Sequence, residues 1–132
     1  MPVSHMPPKE ASARVVDGVR IVDVRSPQEF AMGHPEGSLN IPIAFMSPMG
    51  MQPNGDFVAV MRKHFQPGDT IVFSCKSGGR SGMAADMMAA HGFTGELINV
   101  QGGYHGGTVP GWLAEGLPTS TETEGRSWDD LK

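Results

Sequence analysis

Apolar residues fall along this chain in short runs, and polar, glycine-rich and proline-rich segments separate them. VRIVDV (19–24) is a β-branched run that predicts a strand. SPQEF follows it, with Ser26 placed to N-cap a helix, Pro27 at the first helical position and Glu29 at the third, and the helix is expected to end at Gly33. HPEGSLNIP (34–42) predicts a turn into a short strand around Ser38 to Ile41. IAFMSPMGMQPNG, at 43–55, predicts a surface loop rich in Met, Pro and Gly, before a helix at about 56–65. TIVFS (70–74) is continuously apolar, as a strand buried on both faces of a parallel sheet would be. GRSGMAADMMAAHG then predicts a helix, with Met83, Met87 and Ala90 at helical spacing and Gly92 as its C-cap. ELINV (96–100) predicts another strand, and a last helix carrying Trp112 is expected at about 109–116. Strands alternating with helices predict one α/β domain with a parallel sheet, its binding loops at the carboxyl ends of the strands.

Composition narrows the function classes. At 132 residues the chain suits one domain rather than two. A net charge of -4 gives no general attraction to nucleic acid or to an anionic membrane, so any basic site must be local. No run approaches the roughly 20 apolar residues of a membrane span, and MPVSHMPPKEA lacks the basic-then-apolar pattern of a signal peptide. A cytoplasmic location is the expectation. Ser4-His5-Met6 is similar to a cloning remnant, and the first six residues are given no weight. His5, His34, His64, His91 and His105 are scattered, and one cysteine cannot form an internal disulfide, so structural zinc is not expected. GGYHGG lacks the spacing of a dinucleotide fingerprint, so no metal, nucleotide or flavin cofactor is implied.

The chemistry concentrates in IVFSCKSGGRSG (71–82). Cys75 stands where a buried strand ends and a helix is about to begin. Gly78 and Gly79 permit unusual dihedrals and bring no side chain, so the N–H groups of residues 76–80 can turn inward as an anion cradle. The helix dipole, Lys76 and Arg80 add positive potential, which favours a thiolate. A lone cysteine at a strand end is otherwise a small buried hydrophobe, but that role requires neither two glycines nor two cations within five residues.

The same residues resemble the active-site loop of the rhodanese-like sulfurtransferases, Cys-x-x-Gly-x-Arg-Ser, which Cys75, Gly78, Arg80 and Ser81 match position by position. DVRSPQEFAMGHPEGSLNIP (23–42) and NVQGGYHGGTVPGWLAEGLP (99–118) resemble further family segments, so the likeness covers about residues 10–118 and leaves 119–132 as a polar C-terminal tail. Pro35 after His34 and the long spacing from Gly103 to Trp112 depart from the commonest family pattern. The resemblance implies a single rhodanese-like domain, with a central parallel sheet of about five strands and helices on both faces. It implies a ping-pong reaction in which the Cys75 thiolate takes the outer sulfur of thiosulfate or a related donor as a persulfide. Cyanide, a thiol or a partner protein then removes that sulfur. It assigns Lys76, Ser77, Gly78, Gly79, Arg80 and Ser81 to donor binding, although Lys76 could be a solvated cation and Arg80 could brace the loop from behind.

Two other readings bear on the same loop. Dual-specificity phosphatases of the same fold use Cys-x5-Arg, whereas Cys75 to Arg80 is Cys-x4-Arg, sized for one sulfur atom, and Ser74 stands where their signature has histidine. A persulfide carrier or protein-binding module that does not turn over small donors would keep the same loop, and this alternative stays open. Either a monomer or a weak homodimer fits. Asp23 and Arg25 read as a structural ion pair, and His34 as a turn residue bonded to backbone. Tyr104 and His105 are candidates for the pocket mouth. Met83, Met87 and Met88 read as helix packing, and Met46, Met49 and Met51, with Phe45, as an adaptable apolar rim.

Overall fold

The computed structural model describes residues 3–132. In chain order the first elements are β1 (Ser4–Met6), α1 (Pro8–Val16), β2 (Arg20–Asp23), α2 (Pro27–Ala31), β3 (His34–Pro35) and β4 (Leu39–Asn40). The hairpin β5 (Ala44–Ser47) and β6 (Gly50–Pro53) follows, then α3 (Phe57–His64), β7 (Ile71–Ser74), α4 (Gly79–Ala90) and β8 (Leu97–Val100). The chain closes with β9 (Thr119–Ser120) and α5 (Trp128–Leu131).

Five strands form one parallel sheet in the order β1-β8-β7-β2-β4. The two-residue alternation of a strand decides which side chain meets which layer. Ile71, Phe73 and Cys75 face α3, α4 and α5, in a core with Phe57, Met61, Ala84 and Met88. Val72, Ile98 and Val100 face the other way, toward Ala11 of α1, Tyr104 and Trp112. Helices on both faces bury the central strand β7 completely, which explains its unbroken apolar run. The expected fold class is therefore the observed one.

Three expected elements differ from what is observed. Ser4–Met6, within the stretch set aside as a cloning remnant, pairs with β8 as an edge strand, while residues 1 and 2 lie outside the described residues. The Met-rich loop at 43–55 contains an antiparallel hairpin, its turn held by Ser47 Oγ donating to the Gly50 carbonyl at 2.7 Å. The helix expected at 109–116 is a set of turns with one helical bond, Glu115 N–H to the Gly111 carbonyl at 3.2 Å. Pro110 and Gly111 fall inside that window and oppose a longer run.

Segment 119–132 packs on the rest of the domain. Thr119 and Ser120 pair with β3, and Trp128 and Leu131 join the core beside α3. The Trp128 and Phe45 rings lie 5.8 Å apart, and Asn40 N–H donates to the Arg126 carbonyl at 2.8 Å. Burying one leucine contributes about 1.5–3 kcal/mol, enough to help order a stretch whose polar composition reads as a tail.

Candidate active site

Cys75 follows the last residue of β7, at the carboxyl end of the sheet, and is 1% exposed. Gly78 makes the turn into α4 with φ +108°, and a Cβ there would approach the Val100 carbonyl to 3.3 Å. Its N–H donates to Cys75 Sγ at 3.1 Å, and Ser81 Oγ lies 3.3 Å from the same sulfur. Among the described residues these are the two hydrogen-bonding groups that reach the sulfur. The cradle is thus narrower than the inward ring of N–H groups 76–80 expected from the glycines. Lys76, Ser77 and Gly79 are exposed around it.

The segment after β8 holds the loop from behind. Tyr104 N–H donates to the Cys75 carbonyl at 2.8 Å, and His105 N–H to the Lys76 carbonyl at 2.9 Å. Gly103 makes this approach feasible, because a Cβ at that position would lie 2.6 Å from the Cys75 carbonyl oxygen.

Arg80 does not point its hydrogen bonds at the sulfur. Its guanidinium forms a two-bond fork with Glu29, at 2.8 and 3.0 Å, which ties the start of α4 to α2. Glu29 also accepts from Ser26 N–H and Oγ, completing the capping box of α2. Burial pushes the Glu29 carboxyl up, but the Arg80 hydrogen bonds, the Ser26 N–H and the Arg80 charge outweigh it and bring it from 4.5 to about 2. A folded-state value below the unfolded one means stability that is present above about pH 4.5 and is lost as pH falls through about 2. The gap in urea midpoint between the protein and Glu29→Gln is therefore expected to be widest from about pH 5 upward and to close toward about pH 2. An equal gap at both ends would deny the carboxylate this role.

Asp23 and Arg25 form a buried pair below the loop. Arg25 Nε and Nη2 donate to the Asp23 carboxylate at 2.6–3.0 Å, and Nη2 also reaches the Gly33 carbonyl at 2.7 Å. The Arg25 guanidinium sits 4.6 Å from the Tyr104 ring centroid. Asp23 and Arg25 are thus a structural pair, and His34 Nδ1 pairs with the Phe30 carbonyl at 2.8 Å rather than facing the sulfur.

The Rhodanese-like domain family model matches residues 7–108. The chain belongs to that family. It is 40% identical over 102 residues to thiosulfate sulfurtransferase 16, chloroplastic, of Arabidopsis thaliana, covering 77% of this chain and 80% of that protein. It is 36% identical over 115 residues to the senescence-associated protein DIN1 of Raphanus sativus, covering 87% of this chain but only 60% of that one. The crystal structure of Rv0390 from M. tuberculosis superposes with a TM-score of 0.78 at 26% identity, covering 92% of this chain and all of that one.

Of the cavities that border the Cys75 loop of this rhodanese-like domain, two carry residues singled out in the sequence. One, of about 260 Å³, is bordered by Arg25, Glu29, Lys76, Tyr104 and His105, so the two residues expected at a pocket mouth do line a cavity. The other, of about 280 Å³, is apolar and lies between the β5–β6 hairpin and α4, with Met51, Met83, Met87 and Arg80 around it. Met83 is 60% and Met87 37% exposed, so of the three helix methionines only Met88 packs in the core. Asn99, which accepts from Ser81 Oγ at 2.5 Å, drew no attention in the sequence because nothing local marks a strand asparagine as a neighbour of a distant loop. Among the described residues no group of three or more His, Cys, Asp or Glu side chains is placed to hold a metal ion.

Proposed function

We propose that this domain is a sulfurtransferase that moves a sulfane sulfur from thiosulfate or a related anionic donor through a Cys75 persulfide to a thiol or cyanide. The observation that carries this reading is the sulfur itself, held by the Gly78 N–H at 3.1 Å and Ser81 Oγ at 3.3 Å beside the N-terminus of the 12-residue helix α4. The Arabidopsis relative that carries the name thiosulfate sulfurtransferase supports it.

In the first step the Cys75 thiolate attacks the outer sulfur of thiosulfate and forms an S–S bond. The bond to the sulfonate sulfur breaks, and its electron pair leaves with sulfite. In the second step the acceptor anion attacks the outer persulfide sulfur, takes it as thiocyanate or a new persulfide, and returns the Cys75 thiolate. Charge balances in both steps without a cofactor. The Gly78 N–H, at the N-terminus of α4, favours negative charge on the Cys75 sulfur. Exposed Lys76 meets the donor anion at the loop surface, whereas Arg80, committed to Glu29, contributes bracing and positive field.

The test is thiocyanate formation from thiosulfate and cyanide by the purified protein and by Cys75→Ala. The variant is expected to lose at least about a thousandfold in rate, as removal of a nucleophile does. A wild-type protein without turnover would defeat this reading for small donors. Sulfur accepted from a protein donor alone would leave the carrier role in its place.

A further inference from the structure

A buried polar chain runs from the Cys75 sulfur to the molecular surface, and sulfur transfer as described uses only its first member. Ser81 Oγ, fully buried, lies 3.3 Å from Cys75 Sγ, 3.3 Å from the Gly78 carbonyl and 2.5 Å from Asn99 Oδ1. Asn99, 5% exposed, reaches His5 Nδ1 through its Nδ2 at 3.0 Å, and His5 is exposed. The fold creates this line. β1 pairs with β8 so that His5 stands opposite Asn99, and Gly82 of α4 leaves space for the amide, where a Cβ would sit 3.5 Å from Asn99 Nδ2.

The Ser81 hydroxyl has one hydrogen and three acceptors within reach. With the amide oriented as in the structure, that hydrogen goes to Asn99 Oδ1, the shortest contact, and an oxygen lone pair faces the sulfur. This arrangement suits a thiol, which can donate its S–H, and opposes an anion. Turning the amide over reverses the chain. Asn99 Nδ2 then donates to Ser81 Oγ, and the hydroxyl hydrogen is released to the sulfur. The turned amide presents Oδ1 to His5 and requires a hydrogen on Nδ1, which an imidazolium always carries and a neutral ring carries in one tautomer only.

We propose that Asn99 is a positioning residue for Ser81 and that, through it, protonation of exposed His5 and negative charge on the Cys75 sulfur favour one another. The coupling is reciprocal, as linkage requires. It acts on the thiolate, so in turnover it would make the resting anion less dependent on pH on the acid side. That last consequence rests on the sulfurtransferase reading, whereas the coupling itself does not.

Few charges compete along this path. The cavity of about 270 Å³ beside His5 is bordered by Ser77, Gln101, Thr108 and Val109, with no other charged or titratable side chain. On β1 the neighbouring Ser4 turns to Glu96, which Arg14 of α1 holds. At the sulfur end stand Lys76 and the Arg80–Glu29 pair.

Cys75 is the sole cysteine, so alkylation by iodoacetamide reports on this sulfur alone, and it needs no sulfur donor. The experiment measures that rate from about pH 5.5 to 9 in the full chain, in His5→Ala, in Ser81→Ala and in the double variant. His5 is exposed on an edge strand, so its truncation does not threaten the fold. His5→Ala is expected to slow alkylation about threefold near pH 6, the size of one net hydrogen bond, and to make little difference by about pH 9. In the Ser81→Ala background the same change is expected to have no effect. Equal slowing in both backgrounds would mean a through-space charge effect and would overturn the relay, as would no slowing in the parent chain. Because alkylation is read without turnover, either result stands whether or not the domain uses thiosulfate.

Discussion

Arg25→Met is expected to cost about 3–5 kcal/mol of stability, because it leaves the fully buried Asp23 carboxylate without its partner. Asp23 receives the Arg25 main-chain N–H at 3.0 Å together with the Nε and Nη2 bonds. For a domain of this size the loss corresponds to a fall in Tm of roughly 10–20 °C. Removing both charges, as Asp23→Asn with Arg25→Met, is expected to recover part of that loss, since the largest penalty belongs to the unpaired ion rather than to the missing attraction. Urea midpoints of the single and double variants check this. A single variant within about 1 kcal/mol of the parent would show that the pair is replaceable and that the loop does not depend on it.

The second large effect is expected at Gly103→Ala, and it should fall on activity more than on folding. The residue has φ +56°, and an added Cβ would lie 2.6 Å from the Cys75 carbonyl oxygen and 2.8 Å from the Lys76 carbonyl oxygen. Both contacts are to backbone of the Cys75 loop, so relief requires the loop to move. A displacement of about 1 Å at a reacting group can cost roughly a hundredfold in rate, and that is the expected fall in sulfur transfer. Gly125→Ala, at φ +75° with nothing within 4 Å of the new Cβ, is the matched control and should leave the rate unchanged. Equal rates for Gly103→Ala and the control would mean that the closing segment does not position Cys75.

What could be read in advance follows from where the information lies. The strand β7 and the loop after it were legible because an apolar run, a cysteine, two glycines and two cations are all contiguous. The helix cap at Ser26 was legible for the same reason, since Ser26 and Glu29 are three residues apart and close a capping box. The second bond of Glu29, to Arg80, spans 51 residues and leaves no local signature, so the sequence offers both donor-anion binding and bracing for Arg80. Asn99 and His5 escaped for the same reason, being joined only by strand register. Segment 119–132 shows a different limit. Its two buried residues, Trp128 and Leu131, are too few to make a periodic pattern, yet each finds a place in the core already built by α3 and the sheet. The helix expected at 109–116 does not form, because Pro110 and Gly111 stand inside that window and oppose it.

A sulfur atom carried by Cys75 between donor and acceptor adds to the mass of the intact protein. Protein treated with thiosulfate alone, then freed of excess donor, is expected to gain about 32 Da, to lose that mass on adding cyanide, and to gain nothing as Cys75→Ala. An unchanged mass in the parent chain, or the same gain in the variant, would contradict the account.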